Sequence, residues 1–239
     1  MLGSFLEYSV QCADIAQSLD FYHRLGFTQA LAGDAWEHPY AVVTDGRLCI
    51  GLHGTAPADC ALTFVRPGIL ELATRLETQG LAIHHRHLGN GVFNQIGLLS
   101  PDGTLLRMIE ARSFSPSMRR SSDTSVCGYF LEVALPAPEP DKAVAFWEGL
   151  GFVGMDEPEA LLPRICCISD SINVGLHDPR QMRESALVFE GDDLDARIAT
   201  LRAAGIEPES RLPSALRGRP VAQIRAPEGT LLVLLGAAD

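Results

Sequence analysis

The chain has 239 residues, 46% of them apolar and 21% charged, with 30 acidic against 19 basic side chains and a formal charge of −11. This is an ordinary soluble globular composition, long enough for one large domain or two of average size, and it excludes disordered and collagen-like classes. A field of that sign repels phosphate backbones and anionic lipid, so neither nucleic acid nor a membrane is an expected partner.

The N-terminal residues 1–7 show no basic stretch followed by an apolar core, and no run approaches 18 uncharged apolar residues; the expectation is a cytoplasmic protein without a membrane span. Six cysteines without C-x-x-C spacing read as reduced, mostly buried thiols.

In chain order, the alternating stretch 6–11 predicts a strand, and the spacing of Ile15, Leu19, Tyr22 and Leu25 predicts a helix packed on a sheet and closed by Gly26. Residues 40–44 and 47–53 then flank Asp45-Gly46, a hairpin signal because glycine accepts positive φ. The unit reads βαβββ. Gly80-Leu81 repeats Gly26-Phe27 at an offset of 54, which marks a second unit. Its cluster His84-His85-Arg86-His87 reads as a solvated loop, in which only His85 and His87 would converge. The polar, Ser-rich stretch 112–126 reads as a linker.

Beyond it the pattern returns. Asp20-Phe-Tyr-His-Arg-Leu-Gly-Phe27 is echoed by Ala145-Phe-Trp-Glu-Gly-Leu-Gly-Phe152 at an offset of 125, Gly51-Leu-His53 by Gly175-Leu-His177, and Pro101-Asp-Gly-Thr-Leu-Leu106 by Pro227-Glu-Gly-Thr-Leu-Leu232. A helix enters near Asp141 behind Pro138 and Pro140, through Ala143, Phe146, Trp147 and Leu150. Gly205-Ile206 follows Gly151-Phe152 by 54 again, so the chain reads as four units. Asp192-Asp193-Leu-Asp195 stands where the last helix begins and reads as a capping run rather than a calcium loop.

Four βαβββ units, the opening strand with Asp14, the Leu25-Gly26-Phe27 helix end and the closing turn Ser100-Pro-Asp-Gly-Thr-Leu-Leu106 resemble the vicinal oxygen chelate superfamily of glyoxalases, bleomycin-resistance proteins and extradiol dioxygenases. The resemblance implies an α+β fold of two domains, 1–111 and 127–239, each with two modules whose curved mixed sheets enclose a cup. It also implies a divalent metal held by His and Glu at four strand positions. In this sequence those positions read Glu7, Gly51, Ala61 and Arg107 in the first domain, and Glu132, Gly175, Ala186 and Val233 in the second. A divalent ion needs several converging oxygen or nitrogen donors, and each quartet offers one carboxylate. No metal site and no cofactor are therefore expected.

The candidate site residues follow from the same positions. Glu7 and Glu132 are read either as structural ion-pair members or as acid–base groups, and Arg107 either as partner to one of them or as a clamp for a ligand carboxylate. If modules pair within a domain, Arg107 meets Glu7; if across domains, Glu132; either way one Glu stands unmatched and is the better catalytic candidate. His53 and His177, two residues past the glycines, share their strand face, and Trp36 and Tyr40 are candidates to line a ligand cup. The leading expectation is a metal-independent binder sequestering an antibiotic or metabolite, as monomer or homodimer. The alternative is an enzyme of lyase, isomerase or dioxygenase type using Glu/Arg acid–base chemistry or an unorthodox metal site.

Overall fold

The structure, a computed structural model, describes residues 2–31, 36–55, 60–111 and 125–236. The first half runs β1 (Ser4–Gln11), α1 (Ile15–Arg24), β2 (Thr28–Ala30), β3 (Tyr40–Thr44), β4 (Cys49–His53), β5 (Cys60–Arg66), α2 (Ile69–Thr78), β6 (His85–His87), β7 (Gln95–Leu99) and β8 (Leu105–Glu110). The second runs β9 (Tyr129–Pro136), α3 (Pro140–Gly149), β10 (Val153–Glu157), β11 (Arg164–Ile168), β12 (Asn173–His177), β13 (Ala186–Glu190), α4 (Leu194–Ala203), β14 (Val221–Arg225) and β15 (Leu231–Leu235). Of the expected linker, residues 112–124 lie outside the described residues.

Each half forms one mixed sheet, ordered β2-β3-β4-β1-β5-β8-β7-β6 and β10-β11-β12-β9-β13-β15-β14. The two modules of a half join through one antiparallel pair, β1 with β5 and β9 with β13, so modules pair within a half rather than across.

Local chemistry explains the elements. Asp14 caps α1 by accepting from Gln17 N at 3.0 Å, and Asp193 caps α4 by accepting from Ala196 N at 2.9 Å, the capping role expected of the acidic run. All four helices end in a glycine at positive φ: Gly26 at 89°, Gly80 at 81°, Gly151 at 96° and Gly205 at 72°. The 54-residue echo thus records two helix ends per half. The Asp45-Gly46 hairpin turns through 45–48, because Asp45 Oδ1 accepts from Arg47 N at 2.9 Å and Leu48 N at 2.8 Å, and β4 starts later than expected. His85–His87 forms the exposed edge strand β6 rather than a loop, paired with Gln95–Gly97.

Alternate residues divide each sheet into two faces. On the helix face, Tyr8, Val10, Ile50, Leu52, Leu62 and Phe64 meet Tyr22 and Leu25, and the corresponding side chains of the other half join the same apolar cluster. Ile15 and Leu19 pack against it half-buried, as their spacing predicts. The halves lock together there: Phe27 meets Phe189 edge-on at 6.3 Å, Val126 N donates to Leu25 O at 2.8 Å, and Glu228 accepts from Tyr22 at 2.6 Å and Ser18 at 2.7 Å. The opposite faces are those on which the resemblance implies the cups.

The fourth module departs from its siblings. After α4 it has two strands, and the stretch between carries a 3-10 turn at Ser214–Leu216 where β6 stands in the first half. Pro208 and Pro213 lack the N–H an added strand would need, and the segment instead drives Leu212 and Leu216 onto the cup face. Among the described residues no helix is long and apolar enough to cross a membrane.

Candidate functional site

In the first cup, register sets a lateral row of Gly97, Arg107, Thr63 and Glu7 on one face, with Ser9 and Gly51 paired one step along. Glu7 is 1% exposed. Its Oε1 accepts from Ser9 Oγ at 2.7 Å and lies 2.8 Å from His53 Nε2, while Oε2 accepts from the Tyr40 hydroxyl. Ser9 also bonds Thr63 at 2.7 Å. A Cβ added at Gly51 would overlap the Glu7 carboxylate, so the glycine vacates the space that the carboxylate fills.

His53 Nδ1 lies 2.8 Å from His38 Nε2. In the tautomer that carries the His53 proton on Nε2, toward Glu7, Nδ1 accepts and His38 donates from Nε2. His38, His53 and Glu7 form a hydrogen-bonded chain that ends on a buried carboxylate. Desolvation, His53 and Arg107 hold the His38 pKa below the ordinary value, against the pull of Glu7. Burial and the neighbouring Glu7 push the Tyr40 phenol well up, so it stays a donor.

Arg107 is 4% exposed. Its guanidinium carbon lies 5.2 Å from the Trp36 ring centroid, Nη2 is buried without a hydrogen-bond partner, and it makes no ion pair with Glu7. Its partners are an aromatic face and the field of Glu7 and Tyr40, against a desolvation that lowers its pKa. The expected Arg107–Glu7 contact is therefore absent: Tyr40, Ser9 and His53 already occupy the carboxylate.

In the second cup each position has a counterpart by register. Glu132, Gly175 and His177 repeat Glu7, Gly51 and His53, and His177 Nε2 lies 2.7 Å from Glu132 Oε1. The rest differ. Arg164 stands where Tyr40 stands, its Nε 2.7 Å from Glu132 Oε2 and its Nη2 2.7 Å from Glu157. Ala134 replaces Ser9, Val188 replaces Thr63, and Val233 replaces Arg107. Leu162, Met182 and Leu216, each at most 1% exposed, pack with Ala134, Ala186, Val188 and Val233, and Leu161 and Leu212 pack against them. The second cup is filled by the chain's own side chains. No Glu is left unmatched, because β11 supplies an arginine that the sequence alone did not point to.

Of the residues singled out from sequence, Glu7, His53, Tyr40, Trp36 and Arg107 converge in the first cup; Glu132 and His177 sit apart in the second. His38, Ser9, Thr63 and Arg164 went unrecognised. Ser9 was reachable, since period two places it on the Glu7 face; His38, Thr63 and Arg164 required the strand register.

The divalent metal implied by the resemblance does not fit either cup. At the four positions a single carboxylate is already engaged by its neighbours, and the last position holds a buried cation or Val233. Among the described residues no group of three or more His, Cys, Asp or Glu is placed to hold an ion.

Neither a family model nor a curated protein matches the sequence. Solved structures do match by shape. A catechol 2,3-dioxygenase covers 99% of this chain and 90% of its own at TM-score 0.60 and 15% identity. The 2,3-dioxygenase LapB from Pseudomonas sp. KL28 covers 100% and 94% at TM-score 0.63 and 11% identity. An Mn(II)-bound glyoxalase from Novosphingobium aromaticivorans covers 97% and 81% at TM-score 0.60 and 15% identity. The fold is therefore the one that these dioxygenases and this glyoxalase share.

Proposed function

We propose that the protein binds a small organic molecule, an antibiotic or metabolite, in its first cup and sequesters it without a divalent metal. The observation that carries this reading is Arg107 Nη2, a buried donor left without a partner on a polar cup face, where the equivalent face of the second half is packed with leucine, methionine and valine. An unpaired buried donor is costly, and a ligand acceptor offsets that cost. The second cup then serves as a scaffold.

The test is native mass spectrometry after incubation with a library of small organic molecules, with metals quantified per chain on untagged protein. A ligand bound and released unchanged by metal-free protein is the expected result. A ligand converted to product, or about one metal per chain, overturns it.

The hydrogen-bonded chain His38–His53–Glu7 favours a second reading, an acid–base enzyme in which His38 Nδ1 accepts a proton and Arg107 holds the developing negative charge. On that reading His38→Gln and Glu7→Gln each lower turnover about 10²-fold or more, whereas a binder loses at most a few-fold in affinity.

A further inference from the structure

Resting on the reading of the first cup as a ligand site, the geometry points to the class of ligand: we propose that it takes a singly charged organic carboxylate, whose oxygen accepts from Arg107 Nη2.

Three features converge. Arg107 Nη2 is a buried donor without a partner, in a fork built for a planar carboxylate. Among the described residues the carboxylate beside it, Glu7, acts on Arg107 through its field without an ion pair, since it is bonded to Ser9, His53 and Tyr40, and Tyr40 remains a phenol. The register partner of Arg107 on its outer side is Gly97, so no polar side chain at that position answers the guanidinium, whereas Gln223 holds that place in the second half; Leu105 and His85 fill the space a Cβ would take at Gly97.

Charge sets the limit at one. The site holds one buried guanidinium beside one carboxylate, in a chain of formal charge −11, so a phosphate dianion would bring more negative charge than Arg107 offsets. The organic part of the ligand meets rings: Trp36 stands 5.2 Å from His53, 5.6 Å from His38 and 6.2 Å from Tyr40, centroid to centroid.

Four probes test this on the full chain by isothermal titration calorimetry: benzoate, cyclohexanecarboxylate, benzamide and inorganic phosphate. Both carboxylates are expected to bind wild-type protein saturably at millimolar or lower Kd, with benzamide and phosphate at least about tenfold weaker. Arg107→Gln should weaken benzoate about tenfold or more, and Arg107→Lys, which keeps the charge without the fork, should recover part of it. Benzamide binding as tightly as benzoate, or benzoate binding unchanged in folded Arg107→Gln, overturns the carboxylate assignment. So does failure of both carboxylates to bind wild type at ~10 mM. The probes compared on wild type decide the matter even if the variants do not fold. A neutral molecule recovered from the library screen leaves the ligand-site reading intact while refuting this inference; no ligand of any class refutes both.

Discussion

The two cups began as copies and now show opposite solutions to one problem, how to keep a glutamate buried on a sheet face. The first surrounds Glu7 with Tyr40, Ser9 and His53, and Arg107 makes no ion pair with it. The second pairs Glu132 with Arg164, and Arg164 with Glu157, and covers the pair with Leu162, Met182 and Leu216. His53 Nδ1 passes its bond on to His38, whereas His177 Nδ1 is buried without a partner. The lesson is that a buried carboxylate bonded by hydroxyls and an imidazole leaves the nearby arginine without an ion pair, while the other carboxylate holds an arginine at 2.7 Å.

The sharpest way to break that comparison is to neutralise each carboxylate. Glu132→Gln leaves Arg164 without one of its two carboxylates in a packed interior and should cost about 3 kcal/mol. Glu7→Gln keeps an acceptor for Ser9 and His53, and the Tyr40 hydroxyl turns to accept from the new amide, so the cost should be about 1 kcal/mol. Urea denaturation of both variants checks the order; equal losses would mean that the two environments are energetically alike.

A smaller effect of opposite sign is expected at Arg107. Arg107→Met removes an unpartnered buried donor but also a cation–π contact, so stability should hold or rise by up to about 1 kcal/mol. A loss beyond about 2 kcal/mol would show that Arg107 is held for the fold rather than for a ligand.

The smallest effect concerns His38. Its pKa lies below the unfolded value of about 6.5, so the unfolded chain binds more protons in the window between the two. The contribution of this group to stability is therefore complete above that unfolded value and is lost as pH falls through the window. Arg107 is one cause of the shift, so an NMR titration should show the His38 midpoint below 6.5 in wild type and raised in Arg107→Met. An unmoved midpoint would separate the two residues.

Much of the architecture was legible from local pattern. The 125-residue echo, the glycine-closed helices and the strand periods are one-dimensional signals, and they define the fold class and the face on which Glu7, Arg107 and His53 stand. Two expectations failed for one shared reason. The pairing of Arg107 with Glu7, and the idea of an unmatched glutamate, assumed that opposite charges on one face find each other. Registers of β3 against β4 and of β11 against β12 decide instead that Tyr40 reaches one carboxylate and Arg164 the other. No spacing rule links residues 33 or 32 positions apart.

By itself, then, the chain's order of residues determined the four modules and the faces on which Glu7, Arg107 and His53 stand, because each depends on which residue stands at a fixed step within a short element. Only the tertiary structure decided that modules pair within each half, that His38 bonds His53, and that a proline-bearing segment after α4 brings Leu212 and Leu216 to join Leu162 and Met182 on one face while Arg107 Nη2 is left without a partner on the other. Those outcomes arise from register and packing between segments distant in sequence, where the burial of apolar side chains and the satisfaction of buried polar atoms are settled jointly.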